Sequence, residues 1–170
     1  MPDTPKLRCR PLEPPLHVVL MEPEIPPNTG SVARICAATC SRLHLIEPLG
    51  FRIDERALRR AGLDYWHLVE LEVHHSFEQF RQRNPGPRLH LFSSNAEQSY
   101  LLADLRAGDA LVFGRESTGL PRSLLRAHRQ HVWGLPTSGA VRSLNLANAV
   151  AIVVYEALRR NGALDHTFVG

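Results

Sequence analysis

Short runs of branched apolar residues alternate with helix-like stretches along nearly the whole chain, and this alternation restricts the fold more than any other feature. Six runs read as strands: "LHVVLM" (16–21), "LHLIE" (43–47), "LVELEV" (68–73), "RLHLF" (88–92), "ALVFG" (110–114) and "HVWGL" (131–135). Helical stretches lie between them. One covers 29–40, with Asn28 or Thr29 as its cap, and a second covers 54–61, from Asp54 to a Gly just past its end at 62. Weaker ones cover 76–83 and 121–129. The last, "SLNLANAVAIVVYEALRRNG", starts at a Ser cap, Ser143, and ends in two Arg and a Gly. Such alternation builds a mostly parallel sheet with helices on both faces. The predicted class is therefore α/β, in a single domain over 16–170. Residues 1–15, with five prolines and no periodicity, read as a flexible tail.

The final helix is unusual. Leu146, Ala149, Val150, Ile152, Val153 and Val154 cover more than one stripe, so it is expected to be buried on more than one side. In a domain this small a second subunit is the expected partner for the extra face. No apolar run approaches the roughly 20 residues of a membrane-spanning helix, and the first fifteen residues do not read as a secretory signal, so a cytoplasmic protein is expected. Three cysteines do not make a paired disulfide framework. Cys36 and Cys40, four apart, read as buried thiols, and no metal site is expected. The net charge is +3, and all the basic residues but Lys6 are Arg, which hints at nucleic acid. His74 and His75 read as surface histidines at a strand end.

The stretch "VFGRESTGLP" (112–121) looks at first like a phosphate loop. It lacks the Lys and hydroxyl that such a loop needs after its second Gly, and it lacks the second Gly of a dinucleotide turn. Glu116 would repel phosphate. The loop is therefore expected to receive a ligand that is not a polyphosphate, or no ligand at all. Two further stretches are polar or Gly-containing after predicted strands. "EPEIPPNTGSVARICAA" (22–38) puts Asn28 and Gly30 at the mouth of the first helix and Arg34 one turn further in. An Arg among Ala, Ile and Cys either reaches outward or serves a site. "LPTSGAVRSLNLANAV" (135–150) carries Ser143, Asn145 and Asn148. Ligands of open α/β sheets gather at the carboxyl ends of strands, where all three stretches lie.

Four segments together, "EPEIPPNTGSVARICAATCSRLHLIEPLGF", "RRAGLDYWH", "FGRESTGLP" and "RSLNLANAVAIVVYEALRR", resemble the SPOUT superfamily of knotted methyltransferases. Within it the chain is most similar to the tRNA (cytidine/uridine-34)-2′-O-methyltransferases, which act on the wobble position of leucine tRNAs. The resemblance runs from about Leu16 to Arg160. It implies a deep C-terminal trefoil knot over about 88–160, which no periodicity argument proposes. It implies S-adenosylmethionine bound in that knot, near Phe92, Gly114, Leu135, Ser143 and Leu144, with Gly114 letting backbone approach closely. It implies catalytic roles for Asn28 and Arg34, with Glu116 near the sulfonium or positioning the Arg. It also implies tRNA as partner and a homodimer with Tyr155 at its interface. Asn145 is expected to cap or pin the knot loop.

Two departures bear on substrate preference. "RES" stands where the family leads one to expect "PET", so Arg115 gains a possible phosphate contact, and "TSGAV" lacks an acidic residue often found there. Rival readings are a 2′-O-methyltransferase for another tRNA or rRNA site, a catalytically silent knotted RNA-binding protein, and a Rossmann-type small-molecule binder.

Overall fold

The structure, a computed structural model, describes residues 5–53 and 66–170. The predicted helix at 54–61 and most of "RRAGLDYWH" lie outside the described residues. Among the described residues there are eight strands: β1 (Leu7–Arg8), β2 (His17–Met21), β3 (Arg42–Ile46), β4 (Leu71–His74), β5 (Leu89–Phe92), β6 (Ala110–Phe113), β7 (Val132–Trp133) and β8 (Phe168–Val169). The α-helices are α1 (Pro26–Thr39), α2 (Phe77–Arg83), α3 (Arg122–Ala127) and α4 (Leu146–Arg160). β2 to β7 form one six-stranded sheet in the order β4-β3-β2-β6-β5-β7, and every pairing in it is parallel. All six predicted strands are members of it.

The sheet is covered on both sides. Val18, Leu20, Leu43, Leu45, Leu111 and Phe113 face one core, shared with α1 and α4. Val19, Met21, Ile46, Leu91, Ala110 and Val112 face the other, shared with α2 and α3 through Phe80, Leu124 and Leu125. That alternation explains why β2, "HVVLM", is buried at every position. Each fully buried aliphatic side chain contributes about 1.5–3 kcal/mol.

Helix starts differ from expectation. α1 begins at Pro26, and its cap is Ile25, without a side-chain cap bond. Asn28 and Thr29 lie inside the first turn, because Pro26 and Pro27 have the φ that a first turn needs and no N–H to lose. α4 is capped by Asn145, whose side-chain oxygen accepts from the N–H groups of Ala147 and Asn148. Ser143 therefore precedes the helix. Within the stretch expected as a tail, β1 pairs antiparallel with β8. Of the cysteines, Cys36 is buried, as expected, with its thiol pushed up to about 12 by burial, but Cys40 is exposed just past the end of α1.

His74 is not a surface residue: it is fully buried. With His17 and His44 it forms a row across β2, β3 and β4. His17 Nδ1 lies 2.9 Å from His44 Nε2, and His44 Nδ1 lies 3.0 Å from His74 Nε2. The ring centroids are only 5.0 and 5.2 Å apart, about one ring radius at each end beyond those contacts, so the rings meet edge to edge. His74 Nδ1 has no partner among the described residues. A buried N–H there would be costly, so the proton sits on His74 Nε2 and donates to His44, which donates to His17. Glu72 Oε2 lies 3.8 Å from His74 Nε2. Nitrogens aimed at each other across 3.0 Å share a proton, whereas two bonds of about 2.0–2.1 Å to one zinc would hold them further apart head-on.

Burial holds the His44 imidazole down at about 3, and the neighbouring His17, His74 and Arg42 add to this. The unfolded chain therefore binds a proton that the folded one refuses. Stability is full above about pH 6.5 and declines as pH falls toward 3, with about 3 kcal/mol lost between pH 7 and pH 4. Urea unfolding at pH 7, 5 and 4 checks this. His44→Asn should flatten the slope, and an equally steep profile in that variant would assign the effect elsewhere.

Candidate functional site

The chain runs outward from β2 through β3 to β4, then returns to place β6 on the other side of β2. This reversal makes a crevice beyond the carboxyl ends of β2 and β6, where ligands of doubly wound sheets bind. A cleft of about 930 Å³ lies there. Its walls are the loop after β2, the loop at 114–121, the end of β5 and the loop at 135–145. Phe92, Gly114, Leu135, Ser143 and Leu144, expected around one ligand, all line it. Phe92 stacks on Phe113 with centroids 4.8 Å apart, giving the floor a rigid apolar base.

Gly114 leaves no room for a side chain. A Cβ there would stand 2.1 Å from the carbonyl carbon of Gly119 and 2.2 Å from the nitrogen of Leu120. The loop folds back on itself, with the Gly119 N–H donating to the Arg115 carbonyl at 2.9 Å. The close approach that forbids a side chain is thus within the loop.

Glu116 ties this loop to α1. Its carboxylate accepts from the N–H groups of Glu24 (2.8 Å) and Ile25 (3.1 Å) and from Asn28 Nδ2 (3.2 Å). Asn28 Oδ1 in turn accepts from Asn145 Nδ2 at 2.9 Å, and Asn145 Oδ1 caps α4. Donor and acceptor ends match at every link, so each amide has one orientation that satisfies both neighbours. A carboxylate beside the N-terminus of α1 is also favoured by the helix dipole. Glu24 closes the link in reverse: its carboxylate accepts from the N–H and Oγ of Ser117, both at 2.9 Å.

The sequence did not single out Glu24, nor the bond between Asn28 and Asn145. The reason is separation: the partners lie 93 and 117 residues apart. The one available sign was a second acidic residue in "EPE". Arg115, given a possible phosphate contact, is ion-paired with Glu22.

Arg34 and Tyr155 are not in the cleft wall. Arg34 is exposed on α1 beyond Asn28. Tyr155 is 46% exposed on α4, beside Ile152 at 40%. The inner face of α4, with Val150, Val153, Val154, Ala157 and Leu158, is buried within the chain.

Glu116→Gln removes the charge and turns an N–H₂ toward one of the three donors. About 2 kcal/mol should be lost, lowering Tm by roughly 4–8 °C. Calorimetry reads it; an unchanged Tm would mean the link contributes nothing to the fold.

The SpoU rRNA Methylase family matches residues 15–155, which takes in most of both cores and the whole cleft. This chain belongs to that family. A SpoU-family relative, the tRNA (cytidine(34)-2′-O)-methyltransferase of Escherichia coli strain K12, is 44% identical over 148 residues, covering 86% of this chain and 94% of its own. The enzyme of the same name from Saccharophagus degradans is 44% identical over 147 residues, covering 86% and 96%. A solved structure reported under "Structural insights into the 2-OH methylation of C/U34 on tRNA" is 50% identical, covers 85% of this chain and 95% of its own, and superposes with a TM-score of 0.79. The AdoMet-bound rRNA methyltransferase from Sinorhizobium meliloti is 25% identical, covers 89% and 61%, and gives a TM-score of 0.72. Among the described residues no helix is long and apolar enough to cross a membrane.

Proposed function

We propose that this SpoU-family chain transfers a methyl group from S-adenosylmethionine to the ribose 2′-hydroxyl of the wobble nucleotide, C34 or U34, of tRNA, with leucine tRNAs as its substrates. The observation that carries the reading is the cleft at the β2–β6 reversal, in a chain 44% identical over most of its length to two enzymes of that name. The cleft suits the cofactor. Its volume of about 930 Å³ falls in the range of small-ligand sites. Leu135 and Leu144 offer apolar surface for a purine, and the backbone of 114–119 offers polar groups beside it. S-adenosylmethionine supplies an electrophilic methyl carbon on a sulfonium.

The chain's own residues do the rest. Asn28 and Glu116 have their polar atoms engaged in the protein and hold the walls in register, so they act by positioning. Ser143, exposed at the cleft wall, is free to meet the ligand's polar edge. Arg34 works from the RNA side. An Arg guanidinium does not deprotonate in proteins, so it orients the adjacent phosphate and stabilises the forming alkoxide electrostatically. The reading includes a knot over about 88–160, with the loops at 114–121 and 135–145 stacked around the ligand, and a homodimer through the exposed face of α4 at Ile152 and Tyr155.

The test is methyl transfer from labelled S-adenosylmethionine to leucine tRNA transcripts whose wobble nucleotide is cytidine, uridine or a purine. Label recovered as a 2′-O-methyl at the wobble pyrimidine supports the reading. Transfer to another nucleotide or to rRNA would replace the substrate. Silence on transcripts and on cellular tRNA lacking that methyl, with the cofactor bound, would leave an RNA-binding protein.

A further inference from the structure

The positive charge of this chain is not spread evenly. Residues 117–155 carry four Arg and no Asp or Glu, whereas the rest of the chain carries sixteen basic and seventeen acidic residues. The entire excess therefore lies in one segment, and that segment leaves the cleft. Three of its arginines lie close together. Arg122 and Arg126 are one helical turn apart on α3, and Arg129 opens the 3₁₀ turn that follows (Arg129–His131). All three are exposed, while Leu124 and Leu125 pack toward the sheet. Among the described residues none of the three makes an ion pair, in contrast to Arg88, Arg106, Arg115 and Arg159. Like charges one turn apart destabilise an isolated helix, and here no carboxylate within the segment offsets them. Arg122 lines the cleft itself. Beside Arg129, His128, Gln130 and His131 line a second, smaller cleft together with Arg81.

We infer that Arg122, Arg126 and Arg129 form a ridge that binds the phosphate backbone of the RNA substrate beside the reacting nucleotide. The ridge starts at the cleft and leads away from it, so a strand whose target nucleotide enters the cleft lays its neighbouring phosphates along it. Forked guanidinium contacts suit phosphate oxygens. Such contacts set position and affinity and leave sequence choice to the cleft. This inference rests on the RNA-methylating reading of the same site.

The experiment follows RNA binding by filter retention across a salt series, with the anticodon stem-loop as probe. Arg129→Gln, then Arg126→Gln, then Arg122→Gln are added in turn. Each lost contact should flatten the plot of log affinity against log salt by about 0.7–0.9, and the triple variant should bind at least about tenfold more weakly at low salt. Arg106→Gln is the control, since Asp104 already engages that charge. Thermal melts establish that the variants fold. A triple variant with native slope and affinity overturns the ridge, as does an equal effect from Arg106→Gln. The methylating reading fails separately, on the native protein. If native protein binds RNA without methylating it and the triple variant still loses the slope, the ridge stands and the enzyme reading falls.

Discussion

Gly114→Ala is expected to weaken S-adenosylmethionine binding by at least about 100-fold and to abolish detectable methyl transfer. The added Cβ would sit 2.1 Å and 2.2 Å from backbone atoms of Gly119 and Leu120. Backbone cannot turn aside as the end of a long side chain can. The loop must open, and overpacking of this kind costs typically 1–3 kcal/mol or more. Opening it also drags Glu116 from Glu24, Ile25 and Asn28, and displacement of about 1 Å near reacting groups costs about 100-fold in rate. Gly119→Ala is the contrast. Gly119 has φ +71° but nothing within 4 Å of its Cβ position, so the cost is conformational only, about 1–2 kcal/mol. Calorimetric titration with the cofactor measures both. Native affinity in Gly114→Ala would mean that the loop at 114–119 is not the cofactor's wall.

Arg34→Ala is expected to lower kcat by about 100- to 1,000-fold, the usual loss when a group stabilising developing negative charge is removed. Arg34→Lys should retain part of the rate, because an ammonium keeps the charge and loses only the forked geometry. Cofactor affinity should change in neither variant, since Arg34 lies outside the cleft wall. Single-turnover methyl transfer with saturating tRNA separates the chemical step from binding. Equal losses in the two variants would count against charge stabilisation and point to a role that depends on the guanidinium's shape.

Much of the scaffold was legible because its signals are local. Branched apolar runs mark all six strands of the parallel sheet, and β2, β3, β5 and β6, buried at nearly every position, demand apolar side chains on both faces. The errors at helix starts are also local. The hydroxyl and amide residues near 28, 29 and 143 suggested caps, but Pro26 and Pro27 move the start of α1 upstream, and Asn145 out-competes Ser143 for the free N–H groups of α4. His74 was misread because neighbouring histidines at a strand end look polar. Its neighbours in space, His44 and Phe80, come from other elements and bury it.

By itself the sequence determined the fold class, the membership in a methyltransferase family, and the residues that would meet around one cleft. Each of these depends on short-range pattern or on motifs read in order along the chain. Only the tertiary structure decided what those residues do to one another. It joined Glu116 and Asn28 as links between loops, paired Arg115 with Glu22, and showed that Gly114 makes room for its own loop. It also left Arg122, Arg126 and Arg129 exposed beside the cleft. The physical reason is that a hydrogen bond or an ion pair depends on distances of about 3 Å, and residues about a hundred positions apart acquire such distances only when the sheet reverses direction and brings the loops after β2 and β6 together.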